Sequence, residues 1–491
     1  MCFFRCTSSG FFYPWILGVD SPVSDKEFVM SRLLRSSLPH LVAIRAYGND
    51  SSKVRRHLLS RIYQPGNLWA ENPSEIEDKS NMLSNKSQRF MFKAGLIRPT
   101  SPGCFHYLPP TVRSMEKLIR LIDRAMQEIG GQKIDMATLC SATLWKQSGR
   151  WDLVGKELLC LMDRHNQEYC LGPTHEESVT NLVAAEGGIS HKKLPLLLYQ
   201  ITRKFRDEMR PCFGLLRGRE FYMKDMYTFD LTEEAAYETY NNVCDAYSNI
   251  FHTLGMKHVK VQADTGNIGG KMSHEFHLPA GIGEDRLMVC GSCDFAANIE
   301  TLHPDERNCP SCGGELAESK GIEIGHTFYL GTKYSQVFNA VCHDAQNKPV
   351  VAEMGCYGIG VSRLLAASIE VLSTEEEIHW PSLIAPYQIC LIPPKKGSKE
   401  TAASLVAEEL YDSICAIPHM RNEAVLDDRD HLTIGKRVKE AHMMGYPHVI
   451  VIGKKALESP SLFEVRNHRT GEVQFLSKDE LLGFIQSIHV I

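Results

Sequence analysis

A chain of 491 residues that is 43% apolar and carries a net charge of −5 is too long for one core and suggests two or three domains. That charge excludes a global pull on nucleic acid, so any RNA contact has to come from local basic patches. No run approaches the roughly eighteen apolar residues a membrane helix needs, and 16 cysteines scattered over so long a chain do not form a secreted disulfide framework.

The N-terminal region stands apart. From Met30 onward the chain carries Arg32, Arg35, Arg45, Arg55, Arg56 and Arg61 with several serines, and Asp50 is the single acid before Gln64. Arg- and Ser-rich, acid-poor sequence of this kind reads as a mitochondrial transit peptide. Asp20, Asp25 and Glu27 suit such a signal poorly, so Met30 is the expected start. A basic arm that touches RNA is the alternative.

Leu118, Leu121, Ile122, Ala125, Met126 and Ile129 recur at three- and four-residue spacing, which predicts an amphipathic helix closed by Gly130 and Gly131. The following KIDMATL reads as a strand. In GPTHEE (172–177), Thr174 followed by Glu177 has the form of a capping box. On an extended segment, Thr174 and Glu176 instead share one side.

Residues 200–230 place Arg203, Lys204, Arg206, Arg210, Arg217 and Arg219 among Phe205, Phe213, Phe221, Tyr222 and Phe229. Tyr199 to Arg206 reads as a strand and Glu220 to Phe229 as its return, with Pro211, Gly214 and Gly218 in the turn. Guanidiniums on one face and rings at the return suit a polyphosphate with a stacked base. A basic, solvated hairpin is the alternative. A helix follows over residues 231–255, with Thr232 as its N-cap.

Cys290, Cys293, Cys309 and Cys312 form two Cys-x-x-Cys pairs fifteen residues apart, the spacing of a structural zinc knuckle; an unmetallated cysteine-rich loop is the competing reading. Farther on, Gly355, Gly358 and Gly360 precede Arg363, so a glycine-rich strand should turn into a helix and let a ligand approach the backbone. Prolines around 381–394 mark a domain boundary. Beyond it, strand and helix alternate as in a compact α/β domain with a largely parallel sheet.

FRDE…RGREF together with GCYGIGVSR resembles motifs 2 and 3 of class II aminoacyl-tRNA synthetases. GPTHEE, KFRDEMRP, GGKMSHEF, AANIE and GCYGIGVSR resemble the prolyl-tRNA synthetases in particular, and the N-terminal address points to the mitochondrial form. The resemblance implies an antiparallel-sheet catalytic domain (63–382, with a cysteine-rich insert at about 285–320) after a presequence (1–62), and a C-terminal α/β anticodon-binding domain (383–491). It implies ATP-dependent ligation of L-proline to tRNA(Pro) through prolyl-adenylate, by a homodimer in the mitochondrial matrix, with no membrane contact. The helix and KIDMATL would be motif 1, at the dimer interface, although Ala137 replaces the family's usual proline.

By the same resemblance, Arg206 holds the α-phosphate and the incoming carboxylate, and Arg217 and Arg363 take the γ-phosphate of a bent ATP. Phe221 and Arg363 sandwich adenine, Glu208 orients the hairpin or contacts adenine's amino group, and Mg²⁺ bridges the phosphates. Thr174, Glu176, His274 and Cys356 line the proline pocket. Asp428, Arg429 and Lys436 face the anticodon, unless they belong to a solvated helix face. The stretch between Phe229 and Gly355 is too short for the editing domain of many bacterial relatives, so cis-editing is not expected. A threonyl- or seryl-type relative and a catalytically silent RNA-binding paralogue are the alternatives.

Overall fold

The structure, a computed structural model, describes residues 56–65, 85–302 and 308–491; Met30 and the expected presequence up to residue 55 lie outside the described residues. The helix read from apolar spacing is α1 (Pro109–Glu128). Two prolines occupy its first turn, where a missing N–H costs nothing. Leu118, Leu121, Ile122 and Met126 are its buried stripe, and Gly130 ends it at a φ of 83°, open to glycine without strain.

The chain then lays down β1 (Gln132–Lys133), α2 (Glu176–Ala184), β2 (Leu196–Phe205), β3 (Glu220–Asp230) and α3 (Glu233–Thr253), followed by β4 (Val259–Ala263), β5 (Met272–Pro279), β6 (Asp285–Cys290), β7 (Ala296–Asn298), β8 (Leu316–Gly331), β9 (Glu353–Gly360) and α4 (Val361–Leu372). These strands form one nine-stranded sheet in the order β5-β4-β7-β6-β8-β9-β3-β2-β1. The central strands β8, β9, β3 and β2 are antiparallel, whereas β1 runs parallel to β2 and β4 parallel to β7. Because β5 also pairs with β8, β4 to β8 close into a small ring around Val261, Leu287 and Ala296.

Strand alternation sorts the sheet into two faces. Tyr199, Met226, Tyr329, Tyr357 and Ile359 join α1, α3 and α4 in the main core. Leu198, Tyr227, Phe229, Phe328 and Cys356 face the other way, against Val179 and Val183 of α2. The site opens on that second face.

The KIDMATL strand stops early. After Lys133 only the Ile134 N–H still reaches Tyr199, and the N–H of Met136 is taken by the side-chain oxygen of Gln200. A side-chain amide has replaced the backbone ladder, so the chain peels away and enters a separate small sheet at Leu139–Ser141.

The C-terminal sheet is built from β10 (Ile389–Ile392), β11 (Ala424–Leu426), β12 (His448–Val451), β13 (Phe463–Asn467) and β14 (Val473–Leu476), in the order β11-β10-β12-β13-β14. Its first three strands are parallel and its last two antiparallel. The helices α5 (Ala403–Ala416) and α6 (Ile434–Met443) make the expected α/β alternation.

One expected boundary is corrected. Residues placed in the presequence, Arg56 to Ile62, are built into this domain: Leu58 bridges Leu426 in parallel, Arg56 pairs with Asp412 at 2.7 Å, and Ser60 donates to Asp428.

Candidate active site

The cavity lies where the ends of β2, β3, β8 and β9 meet the start of α4. Arg206 follows the last residue of β2, and Phe221 and Arg363 open β3 and α4; all three line it. The guanidinium carbon of Arg206 lies 5.3 Å from the centre of the Phe221 ring. Among the described residues Arg206 makes no ion pair. Burial and the like charge of Arg363 push its pKa below the ordinary arginine value. Two facing guanidiniums, one without a counter-ion, make a preformed seat for an anion. Gly358 and Gly360 also line this space. A Cβ at Gly358 would meet nothing closer than Met223 Sδ at 3.8 Å, so a ligand can use the room that a side chain would take.

The other two charged anchors are held by acids. Arg217 pairs with Glu208 at 3.1 Å and Glu284 at 2.5 Å. Arg363 pairs with Glu323 at 2.6 Å and donates from Nε to the Leu216 carbonyl. Burial opposes charge on Glu323, yet Arg363 and His326 hold it well below the usual carboxylate range.

Deeper in, Thr174 Oγ1 donates to both carboxylate oxygens of Glu176, at 2.7 and 2.8 Å, and Cys356 Sγ donates to one of them at 3.1 Å. Arg150 Nη1 reaches Glu176 at 2.9 Å and Glu177 at 3.1 Å. Burial disfavours the Glu176 anion, but Arg150 and these hydrogen bonds keep its pKa below the ordinary value, whereas burial and Glu176 itself push Glu177 up. Burial keeps Cys356 a thiol. One arginine thus faces two buried carboxylates, a net negative pocket.

Motif reading missed Arg150, Glu323 and His326, and also Asp225, which lines the cavity and pairs with the buried Lys204 at 2.7 Å. Glu323 and His326 carried a weak signal, as polar residues within the mainly apolar half of β8 from Gly321 to Gly331. Arg150 carried none, because its partners lie 26 and 27 residues downstream.

Residues 159–372 match the family described as tRNA synthetase class II core domain (G, H, P, S and T), and residues 388–488 match an anticodon-binding domain. A mouse protein named probable mitochondrial proline–tRNA ligase is 58% identical over 94% of this chain and 98% of its own length. A fission yeast protein of the same name is 42% identical over 81% and 93%. This chain belongs to the proline–tRNA ligase family of class II aminoacyl-tRNA synthetases. The fold agrees: the solved Giardia lamblia prolyl-tRNA synthetase in complex with prolyl-adenylate superposes with a TM-score of 0.68, at 18% identity, covering 84% of this chain and 75% of that one.

Within that family frame, Arg206, Glu208, Arg217, Phe221, Arg363, Thr174 and Cys356 come together as expected, lining one cavity, with Glu176 bonded directly behind Thr174 and Cys356. Arg206 lies over the ring of Phe221, a contact the motifs did not announce. Two expectations are corrected, the capping box and the pocket role of His274. The capping box does not form: His175 is the N-cap of α2, and Glu177 is drawn off by Arg150 and Ser148. His274 turns away from the cavity, its Nδ1 bonded to the Tyr240 hydroxyl at 2.7 Å; by strand alternation its neighbour Glu275 takes the cavity side, opposite His326. In the C-terminal domain, Arg429 is bound to Asp427 at 2.7 and 2.8 Å and to Glu440 at 2.7 Å, and Asp428 accepts from Ser60. Both therefore have protein partners in this state, as Arg217 and Arg363 do. Arg437 is buried, while Lys436 and Lys439 remain exposed at the start of α6. The four cysteines do converge: Cys290 and Cys312 sulfurs are 3.5 Å apart, and those of Cys293 and Cys309 3.6 Å.

Proposed function

We infer that this chain ligates L-proline to tRNA(Pro) in two steps that share the cavity. The proline carboxylate attacks the α-phosphorus of ATP, releasing pyrophosphate and leaving prolyl-adenylate. The terminal ribose hydroxyl of the tRNA then attacks the prolyl carbonyl and releases AMP. The observation that carries this reading is the convergence of Arg206, Arg363 and Phe221 on one cavity beside Thr174 and Cys356.

Catalysis of such a step is mostly positioning and charge neutralisation. Arg206 supports the α-phosphate and the attacking carboxylate. Arg217 and Arg363, now held by glutamates, are poised to exchange those partners for the terminal phosphates. Phe221 offers its face to adenine. The secondary ammonium of proline is the second cation that the Glu176–Glu177 pair lacks. Mg²⁺ would supply further neutralisation of the phosphates, and the ionised Glu323 beside Arg363 is the group placed to hold it, with water filling most of the shell.

The four cysteine sulfurs fit a tetrahedral zinc ion, for which a Zn–S bond of about 2.3 Å puts sulfurs about 3.8 Å apart; its role would be to close the insert. Exposed Leu139, Leu161 and Met162 on the small sheet support a homodimer through this side of the molecule. Its relatives' names support a mitochondrial site of action, the matrix, reached by a presequence that ends before Arg56. The Desulfitobacterium hafniense relative aligns over 582 residues to 88% of this chain, against 437 residues and 87% for the Wolbachia one. The former therefore carries well over a hundred residues absent here, which supports the lack of a cis-editing domain. Rapid deacylation of alanyl-tRNA(Pro) by the purified protein would contradict that.

Amino-acid-dependent ATP–pyrophosphate exchange tests the whole reading. Proline should support exchange, threonine and serine should not, and Arg206→Ala should lower the rate about 10²–10³-fold, the usual cost of one transition-state donor. Exchange with threonine or serine alone would move the chain to a sister enzyme. No exchange with any of the three, with RNA binding retained, would make it a silent paralogue.

A further inference from the structure

Far from this cavity, three histidines and a carboxylate gather where the catalytic domain meets the C-terminal sheet. Glu377 and His379 lie between α4 and β10, His442 is in the last turn of α6, and His468 directly follows β13. One ligand-type atom each from Glu377, His379 and His468 lies within 4.8 Å of the others. The His468 ring stands 4.6 Å from that of His379 and 5.1 Å from that of His442, centre to centre.

His468 is the informative member. Its Nε2 lies 2.9 Å from the Ile378 carbonyl. A carbonyl only accepts, so Nε2 carries a hydrogen and Nδ1 is the ring atom left to face the carboxylate. That Nδ1 is buried, in a side chain 4% exposed, and has no hydrogen-bond partner. It faces the Glu377 carboxylate at 3.6 Å. Two such acceptors opposed across 3.6 Å call for a cation between them, a proton or a metal ion. A backbone carbonyl on the far nitrogen is also how proteins orient a metal-bound imidazole. His442 Nδ1 stands 3.8 Å from the other oxygen of the same carboxylate. The nearby positive charge of Arg466 is already met by Glu464 at 2.7 Å.

We propose that Glu377, His379 and His468 bind a zinc ion, with His442 completing a four-coordinate shell. Imidazole and carboxylate donors select zinc over magnesium or calcium; Glu377, His379 and His468 already hold donor atoms within 4.8 Å of one another, and His442, with Nδ1 3.8 Å from Glu377, must turn inward to reach zinc–nitrogen bonds of about 2.0–2.1 Å. Glu377 and His379 come from the segment leaving the catalytic domain, and His442 and His468 from the C-terminal domain. The metal is a staple between the two. It adds to a junction already fixed by Trp380 Nε1 donating to the Met444 carbonyl at 2.9 Å. With four protein ligands it leaves no open position for chemistry, and it does not depend on the ligase reading.

The test is zinc stoichiometry by elemental analysis of the full-length protein, after loading and extensive dialysis, in wild type and in two variant sets. Cys293→Ala with Cys309→Ala removes whatever the cysteines hold; His468→Ala and, separately, Glu377→Ala attack the new site. The cysteine double variant should retain one equivalent of zinc, and each new-site variant should lose one relative to wild type or bind it at least about tenfold more weakly. His468→Ala also removes the bond to Ile378 and risks unfolding, so the partly exposed Glu377→Ala is the second reading. Cobalt loaded into the cysteine double variant should give weak ligand-field bands without sulfur charge transfer. Zinc content that is unchanged by both new-site variants, or a cysteine double variant that holds no metal, would overturn the proposal; in the latter case the cluster is an imidazolium–carboxylate ion pair.

Discussion

At the scale of single residues, chemistry was legible where one residue type was needed and obscure where a partner decided the role. Arg206 and Arg363 were found from sequence because guanidiniums beside aromatic rings and glycines have few other uses. His274 was misread because alternation along β5 decides which face it takes, and a motif word does not reveal register. The reassignment has a direct consequence. Burial pushes the His274 pKa down to about 4, from the ordinary histidine value of 6.5. The unfolded chain therefore takes up this proton at a higher pH than the folded protein. Stability from the neutral ring is complete above about 6.5 and is lost as pH falls toward 4. His274→Asn should leave the KM for proline unchanged while lowering Tm and flattening the acid limb of the stability profile. A large rise in KM with unaltered stability would return His274 to the pocket.

Elements were legible when a local period coincided with a single face. The hairpin β2–β3 and the helix α1 fall where their spacing put them, since the main core takes every buried position of α1's apolar stripe. KIDMATL has the right residues for a strand, but sheet pairing needs a partner with free backbone groups, and Gln200 supplies a side chain instead. The Arg56–Ile62 segment failed in the opposite sense: its basic, serine-containing composition resembles a presequence, yet its backbone pairs with Leu426. Strand β9 carries the sharpest element-scale expectation. A Cβ at Gly358 is tolerated by the protein but stands in the cavity. Gly358→Ala should therefore fold with near wild-type Tm and raise the KM for ATP several-fold, while pyrophosphate exchange at saturating ATP falls less. An unchanged KM for ATP would show that nucleotide does not use this strand.

At the scale of the whole molecule, two domains are joined through a charge buried between them. Lys117 of α1, 2% exposed, donates to the Ala385 carbonyl at 2.7 Å and pairs with Glu423, which immediately precedes β11 and is 8% exposed. Nothing in the local sequence announces this, because the partners are 306 residues apart and each alone reads as a surface charge. Taking two charges out of water is costly, so the pair contributes little net stability. Removing one member is different, because the other stays buried without compensation, at a cost of about 3–5 kcal/mol. Glu423→Ala should accordingly destabilise by that amount in urea titration, whereas Lys117→Met with Glu423→Leu should recover most of the loss. The pH dependence gives an independent check. Burial outweighs Glu423 and lowers the pKa of Lys117 from 10.5 to about 8. The unfolded chain keeps its proton up to about 10.5 while the folded protein releases it near 8, so this lysine makes stability rise between those values. Lys117→Met should abolish that rise. A double substitution as damaging as Glu423→Ala alone would mean that the junction depends on the ion pair itself rather than on avoiding an isolated buried charge.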